Sequence, residues 1–217
     1  MMIKKLGMIL LPITLLFQSV KAQTLTDSAM LSKDFLTIDE ALKEPENVYR
    51  LNLSNQNIQF SDSIWSKFPN LQYLSLKNDH LKNIPEGIGN LKNLKVLDLS
   101  GNDFKILPKS FIGLSSLQEL YLNDDKYFQL DKNIPVLSKL PNLKSLHLEN
   151  DSLKKLPKSI SQLNSLESLY LNNNRFEQVP LEIKGIKNLK FLDLHDNKLK
   201  LPDQFNQNQN LGSKIRF

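Results

Sequence analysis

The sequence contains no cysteine among its 217 residues and has one tryptophan, three histidines and seven glycines. The absence of cysteine excludes disulfides, cysteine-ligated zinc, iron–sulfur clusters, thiol nucleophiles and a lipidated N-terminal cysteine. Hydrophobic residues make up 40% of the chain and charged residues 24%, which suits a sizeable core in one ordinary domain or two small ones. The chain must therefore be stabilised by packing and not by covalent cross-links.

The first 22 residues have the three parts of a secretory signal peptide. Lys4 and Lys5 form a short basic region, residues 6–17 form an apolar run, and a small-residue cleavage site ends at Ala22. A transmembrane anchor needs about 20 apolar residues, whereas this run is shorter and is interrupted by Pro12. We expect cleavage after Ala22 and export to the periplasm or the medium, without a lipid anchor or an integral membrane segment in the mature chain.

The formal net charge of +5 overstates the basic character of that mature chain. Cleavage removes Lys4, Lys5 and Lys21 but no acid, so 25 basic groups remain against 23 acidic groups, a net charge of +2. A balance this small gives no support to nucleic-acid binding.

Seven segments share the pattern Leu-x-x-Leu-x-Leu-x-x-(Asn/Asp)-x-(Leu/Phe/Ile/Tyr), and most continue with x-x-(Leu/Ile/Val)-Pro and a helical stretch. Their spacing is 23 residues, except for 26 across the fourth copy. The first, fourth and sixth slots comprise 21 positions, and every one is leucine except Val48. Leucine is not common enough in average proteins for chance to produce this pattern. The segments begin at Val48, Leu71, Leu94, Leu117, Leu143, Leu166 and Leu189.

The alternation in Leu-x-Leu predicts a strand whose leucines face inward. The polar ninth slot follows the strand, where a side chain can bond backbone groups that the turn leaves unpaired. An amide both donates and accepts there, whereas an ionised aspartate only accepts, so a mixed set predicts an irregular ladder. The ninth slot holds Gln56, Asp79, Asn102, Asp125, Asp151, Asn174 and Asn197. A proline such as Pro85 or Pro157 starts the return arm, which buries one helical face.

A unit of this kind cannot bury its apolar face alone, so neighbouring copies must stack. We therefore predict an α/β repeat solenoid, a right-handed β-α superhelix with a parallel sheet on its concave side. Seven to eight strands at about 4.8 Å spacing give a strip roughly 35 Å long. We expect a signal peptide (1–22), a mobile linker (23–36) and an N-terminal capping helix (37–47) that is capped by Thr37 or Asp39. Seven repeats (48–205) follow, and then an irregular C-terminal cap (206–217) whose final strand covers the sheet edge.

The chain resembles the leucine-rich repeat family over residues 48–205. Copies such as residues 94–114, with Phe111 at the isoleucine slot, are similar to the 23-residue subclass of Ras-group-related and disease-resistance-type repeat proteins. The entry segment ALKEPENVYRLNLSNQNI resembles exported repeat proteins of Gram-negative bacteria. The resemblance implies recognition of a partner by the concave face, with no universal ligand, no cofactor and no catalytic residue.

The concave face, defined as the side chains of slots three, five and seven of each repeat, carries acids and no Lys or Arg from the third repeat onward. Tyr121, His147 and Tyr170 follow one another on successive strands. Carboxylates beside amphipathic aromatics suit a basic protein or peptide, or stacking on sugar rings, although open solenoid strands carry such residues in any case. The candidate ligand-binding residues are Tyr73, Asp98, Glu119, Tyr121, His147, Glu149, Tyr170, Phe191 and Asp193.

Other candidate sites have less support. The insertion near residues 124–129 indicates either a projecting binding loop or an insertion that the fold tolerates. His147 and His195 lack metal-ligand spacing, so we expect no metal. Asp98 and Glu119 lie on neighbouring strands, but an open face lacks the burial that raises the pKa of a glycosidase acid.

We therefore expect a monomeric, non-enzymatic module without a cofactor that binds a protein or peptide on its concave face. The alternative is a structural or adhesive role toward cell-envelope glycan.

Overall fold

The computed structural model describes residues 32–57, 59–200 and 214–217. The chain divides into two compact units, Met1–Lys33 and Asp34–Phe217, and the sheet belongs to the second unit. The predicted signal peptide (1–22), most of the predicted linker and residues 201–213 of the predicted C-terminal region lie outside the described residues.

The described part of the second unit is built on a parallel sheet of nine short strands in chain order. Each repeat contributes three residues centred on its fourth-slot leucine, and neighbours pair slot for slot, as in Leu97 with Leu120 and Leu146 with Leu169. The predicted parallel sheet and its slot-for-slot register are confirmed, but the described residues form nine strands where seven to eight were predicted, because Asp34–Phe35 and Lys214–Arg216 add one strand at each end. The strands are β1 (Asp34–Phe35), β2 (Arg50–Asn52), β3 (Tyr73–Ser75), β4 (Val96–Asp98), β5 (Glu119–Tyr121), β6 (Ser145–His147), β7 (Ser168–Tyr170), β8 (Phe191–Asp193) and β9 (Lys214–Arg216).

The core consists of stacked leucines that alternate along each strand with side chains of the concave face, which are half-buried or, as at Ser75 and His147, buried. Leu146 in the fourth slot and Leu148 in the sixth are fully buried, and the same slots are buried in every repeat. Ile88, Phe111 and Ile160 on the return arms close the core from the other side. The inward assignment of the leucine slots is therefore confirmed.

Among the described residues, the return arms are short 3-10 helices in five repeats and an α-helix in the fourth, and a further 3-10 helix, Pro45–Asn47, precedes the first repeat. A 3-10 helix rises about 2.0 Å per residue against 1.5 Å for an α-helix, so it crosses a short repeat with fewer residues. The 3-10 helices span Pro45–Asn47, Asp62–Lys67, Glu86–Asn90, Lys109–Gly113, Lys158–Gln162 and Leu181–Gly185.

The longer fourth repeat builds an α-helix and not a projecting loop. Helix α2 (Leu130–Leu137) replaces the 3-10 arm, with Leu130 and Ile134 buried. Before this helix, Phe128 packs edge-on against Phe104, with ring centroids 5.8 Å apart. The extra residues are thus absorbed into the stack.

The two ends of the unit differ in part from expectation. Helix α1 (Ile38–Ala41) is capped by Thr37, whose side chain accepts a 3.2 Å hydrogen bond from the Glu40 N–H, but it covers only part of residues 37–47. The linker predicted over 23–36 does not reach residue 36, because Asp34–Phe35 pair with β2 and Phe35 is buried. At the other end, β9 pairs in parallel with β8.

The ninth-slot side chains bond to backbone groups of the turn and of the preceding repeat. Asn102 accepts through Oδ1 from the N–H groups of Asp79 (3.2 Å) and Leu81 (2.9 Å). Its Nδ2 donates to the carbonyls of Leu76 (2.9 Å) and Leu99 (2.6 Å). Each amide therefore ties two successive repeats together.

The aspartates in this slot keep only the accepting half of the arrangement. Asn174 and Asn197 donate to two leucine carbonyls as Asn102 does. Asp125 Oδ1 accepts from the N–H of Asn102 at 2.7 Å, and Asp151 Oδ1 accepts from the N–H of Asp125 at 2.9 Å. The mixed ladder predicted from this slot is present.

The eighth slot, which the sequence pattern did not single out, has a left-handed backbone in all seven repeats, with φ between 53° and 70°. Asn, Asp and Gly alone occupy it, and these residue types tolerate positive φ best. The positions are Asn55, Asn78, Gly101, Asp124, Asn150, Asn173 and Asp196.

Candidate ligand-binding site on the concave face

Three aromatic rings stack at the centre of the concave face. The Tyr121 and His147 ring centroids lie 3.9 Å apart with an interplanar angle of 18°, and those of His147 and Tyr170 lie 4.1 Å apart at 6°. The parallel register of β5, β6 and β7 places the three residues side by side. Phe191 continues the row as a tilted ring 5.3 Å from Tyr170. Because the rings cover one another, the row presents mainly ring edges and polar groups to solvent.

Glu119 and Glu149 hold the imidazole of His147 from both sides. Its Nε2 lies 3.0 Å from Glu119 Oε1, and its Nδ1 lies 3.2 Å from Glu149 Oε1. The Tyr121 hydroxyl donates to the same Glu119 oxygen at 2.8 Å. Both ring nitrogens of His147 therefore face a carboxylate oxygen. Five of the predicted site residues therefore form one cluster around His147.

One oxygen of this cluster has no partner. Glu149 Oε2 is buried and accepts no hydrogen bond, while the Glu149 side chain as a whole is 16% exposed. A buried carboxylate oxygen without a donor is costly.

Both tyrosines of the stack remain neutral to higher pH than an ordinary phenol. Burial raises the pKa of Tyr121, and the hydrogen bond and negative charge of Glu119 raise it further. Burial also raises the pKa of Tyr170, with additional contributions from Glu119, Glu149 and Asp193. These shifts show that the stack lies in a field of negative charge.

Tyr73 lies apart from the stack, at the N-terminal end of the concave face. The Arg50 guanidinium lies 4.0 Å from the centre of its ring, and Arg50 also pairs with Asp34 at 2.7 Å. Burial, followed by the charge of Asp98, raises the pKa of Tyr73. The face of Tyr73 is thus occupied by a cation of the chain itself.

Asp193, at the other end, is buried and already engaged. Its Oδ1 accepts from the backbone N–H of His195 at 3.1 Å and contacts the His195 ring, and its Oδ2 lies 3.8 Å from an Arg216 guanidinium nitrogen. Arg216 belongs to β9, outside the repeat pattern, so sequence reasoning missed it. Asp98 is more available to a ligand. It lies beside Tyr121 in the sheet, and its carboxylate accepts a hydrogen bond from the Ser100 N–H.

Within the described ranges, no three or more His, Asp or Glu residues gather in a way that would hold a metal ion. No helix in the described part of the chain is both long enough and apolar enough to cross a membrane.

Two protein-family models match the chain, one described as a leucine-rich repeat region over residues 48–135 and one described as leucine rich repeat over residues 141–199. A search of curated proteins finds no match. Similar solved structures include an internalin from Listeria monocytogenes, with 21% identity, a TM-score of 0.56 and coverage of 79% of this chain and 48% of that one.

Two receptor complexes are also similar. The Toll–Spatzle complex from Drosophila matches with 16% identity and a TM-score of 0.65 over 75% of this chain and 22% of that one. A TLR13–ssRNA13 complex matches with 27% identity and a TM-score of 0.65 over 83% of this chain and 26% of that one. The chain therefore spans about half or less of the length of these three structures.

Proposed function

The chain belongs to the leucine-rich repeat family, and from that premise we propose that it is an exported, non-enzymatic module that binds a basic protein or peptide segment on its concave face. Proteins of this family generally mediate protein–protein binding, typically without enzymatic activity of their own. The observation that carries the proposal is the cluster around His147, where carboxylates and ordered rings meet on an open sheet.

The charge of this cluster selects the chemistry of the partner. The ion pairs that Glu119 and Glu149 make within the described residues are with His147 alone. Two carboxylates around one imidazole leave net negative charge, and Asp98 adds to it. Lysine or arginine side chains of a partner supply the charge-assisted donors that such a surface lacks.

The same geometry weighs against the other ligand classes. Sugar stacking needs an open ring face, whereas the stack covers both faces of His147 and one face each of Tyr121 and Tyr170, and the tilted ring of Phe191 lies beside Tyr170. The TLR13 structure holds single-stranded RNA, but carboxylates at the centre of this face would repel phosphates. A basic peptide is the ligand class that meets neither obstacle.

Selection from a random peptide library displayed on phage, with the full chain immobilised, tests the proposal. We expect the enriched peptides to be rich in Lys and Arg and to bind more weakly as salt is raised. The variant Glu119→Gln/Glu149→Gln keeps the side-chain shapes and should weaken binding by more than about tenfold, since each charge-assisted hydrogen bond contributes about 1.5–3 kcal/mol. Glu86→Gln is the matched control, because it makes the same change at an exposed position on a return arm.

Two outcomes would contradict the proposal. Enrichment of peptides without basic residues would remove the argument from charge. Retention of full affinity by a well-folded Glu119→Gln/Glu149→Gln variant would place the binding surface elsewhere.

Export is tested separately, and its support is the basic and apolar segments of residues 1–22. Expression of the whole chain in a Gram-negative host should yield a mature protein that starts at Gln23 in the periplasm or medium, as read by N-terminal sequencing. An intact Met1 in the cytosolic fraction would refute export.

A further inference from the structure

Three ninth-slot residues are aspartates at positions where the fold uses an amide. In the asparagine repeats, Oδ1 accepts from backbone N–H groups and Nδ2 donates to two leucine carbonyls. Asp79 Oδ1 accepts from two backbone N–H groups, and Asp125 Oδ1 and Asp151 Oδ1 accept from one each, at 2.7–3.1 Å. Since Asn and Asp side chains both end in a planar three-atom group, Oδ2 of each aspartate is the atom that corresponds to the donating Nδ2.

That second oxygen has no partner in any of the three residues. Asp79 Oδ2, Asp125 Oδ2 and Asp151 Oδ2 are each buried and without a hydrogen bond. Asp79 and Asp125 are almost fully enclosed, at 1% and 2% exposure. An ionised oxygen at this place would face carbonyl oxygens and carry a desolvated charge, whereas a protonated one would donate as the amide does.

Around two of the three aspartates the surrounding charges act in the same direction. Asp98, Asp124 and Asp151 face Asp125, and Asp124 and Glu149 face Asp151; every one of these groups is acidic. Near Asp79, His80 acts in the opposite direction and lowers the pKa of that carboxyl group. Burial raises the pKa of Asp125 to about 8 and that of Asp151 to about 8, the neighbouring acids add to the shift, and the backbone N–H bonds oppose it. Burial likewise raises the pKa of Asp79.

We infer that Asp79, Asp125 and Asp151 are neutral carboxylic acids in the folded protein, each donating its Oδ2 proton to a leucine carbonyl, so that the repeat stack is stabilised by acid and loosens as pH rises. This pH response of the repeat stack does not depend on ligand binding to the concave face. It makes the second, fourth and fifth repeats the pH-sensitive part of the solenoid.

The sign of the pH dependence follows from proton binding. A carboxyl group whose pKa is higher in the folded than in the unfolded chain retains a proton on folding that the unfolded chain releases. Its contribution to the free energy of unfolding is complete at pH values below the ordinary aspartate pKa of 3.8, and it falls as the pH rises to about 8. Above about pH 8 this contribution to stability no longer changes.

The first experiment observes the carboxyl groups directly. In the full chain labelled with ¹³C at the aspartate carboxyl carbon, the three resonances, assigned by their loss in single Asp→Asn variants, should keep the position of the protonated acid at pH 6. They should move only in the neutral to alkaline range. Titration of all three in the ordinary range near pH 4 would overturn the inference.

The second experiment measures the effect on folding. Urea unfolding from pH 4 to pH 9 compares the wild type with Asp125→Asn/Asp151→Asn, a change to the residue that other repeats use. The unfolding constant of the wild type should rise relative to the variant by up to about tenfold per pH unit for each of the two protons. Asp131→Asn, at an exposed position of helix α2, is the control. Parallel curves for wild type and double variant, or a change no larger than that of the control, would overturn the inference.

Discussion

Asn102 offers a sharp test of how the repeats are held together, because one side chain serves four backbone groups. Substitution Asn102→Ala removes the acceptor for the N–H groups of Asp79 and Leu81 and the donor for the carbonyls of Leu76 and Leu99. Asn102 is 3% exposed, so solvent does not replace these bonds in the native protein.

The cost follows from those four groups. A buried polar group left without a partner costs about 1–3 kcal/mol. Water that enters the space of the missing amide would satisfy part of this demand, so we take the lower end of the range for each group and predict a loss of about 4 kcal/mol. This is a large fraction of the roughly 5–15 kcal/mol that stabilises a typical domain.

The assay is urea unfolding followed by far-ultraviolet circular dichroism and by the fluorescence of Trp65, which is fully buried. Asn93→Ala is a suitable control, because the Asn93 amide makes one exposed hydrogen bond, to the Pro69 carbonyl at 2.8 Å. We expect the control to lose about 1 kcal/mol or less. If Asn102→Ala were no more destabilising than Asn93→Ala, the ladder would not hold the repeats together as described.

Further substitutions test the core, the turns and the stack. Leu146→Ala should cost about 2–5 kcal/mol in urea unfolding, whereas Leu181→Ala, at a position 69% exposed, should change the free energy of unfolding by less than about 0.5 kcal/mol; equal effects would contradict the inward assignment. Gly101→Ala should cost at least about 1 kcal/mol, because φ is +70° and an added Cβ would lie 2.0 Å from Asn78 Oδ1; an unchanged unfolding midpoint would argue against that turn geometry. Tyr121→Phe should remove a phenol that ionises above the ordinary range in an ultraviolet pH titration; loss of one that ionises near pH 10 would contradict its burial beside Glu119.

The sheet and the core were predictable because leucine spacing reports strand alternation directly. Each predicted strand, such as Ser145–His147, is found at its slot, and Leu146 faces inward. The helical character of the return arms was less well defined, since a five-residue arm such as Glu86–Asn90 is too short for its periodicity to separate a 3-10 from an α-helix. The sequence does indicate the left-handed backbone of the eighth slot, because only Asn, Asp and Gly occupy that slot. The spacing of the leucines, however, does not distinguish the eighth slot from other polar positions.

The candidate site was predictable only in part. The pattern placed Tyr121, His147 and Tyr170 on neighbouring strands, which is confirmed. Whether their rings cover one another or open toward solvent depends on side-chain torsions that no spacing encodes. Asp193 is engaged by His195 of the same repeat and also by Arg216, which lies beyond the last repeat and has no repeat position. Whether the nine predicted residues bind a ligand stays a prediction.

The direction of the ladder bonds also bears on how the chain folds during synthesis. In the first six repeats, turn N–H groups donate to a side chain 21 to 26 residues further along the chain, as the N–H of Gln56 donates to Asp79 and that of Leu153 donates to Asn174. A chain that emerges from the ribosome therefore always ends in a repeat whose turn is unfinished until the next copy has followed. The turns are therefore completed one after another toward the C-terminus. A fragment cleaved between two repeats retains, in its last repeat, turn N–H groups without their side-chain acceptor.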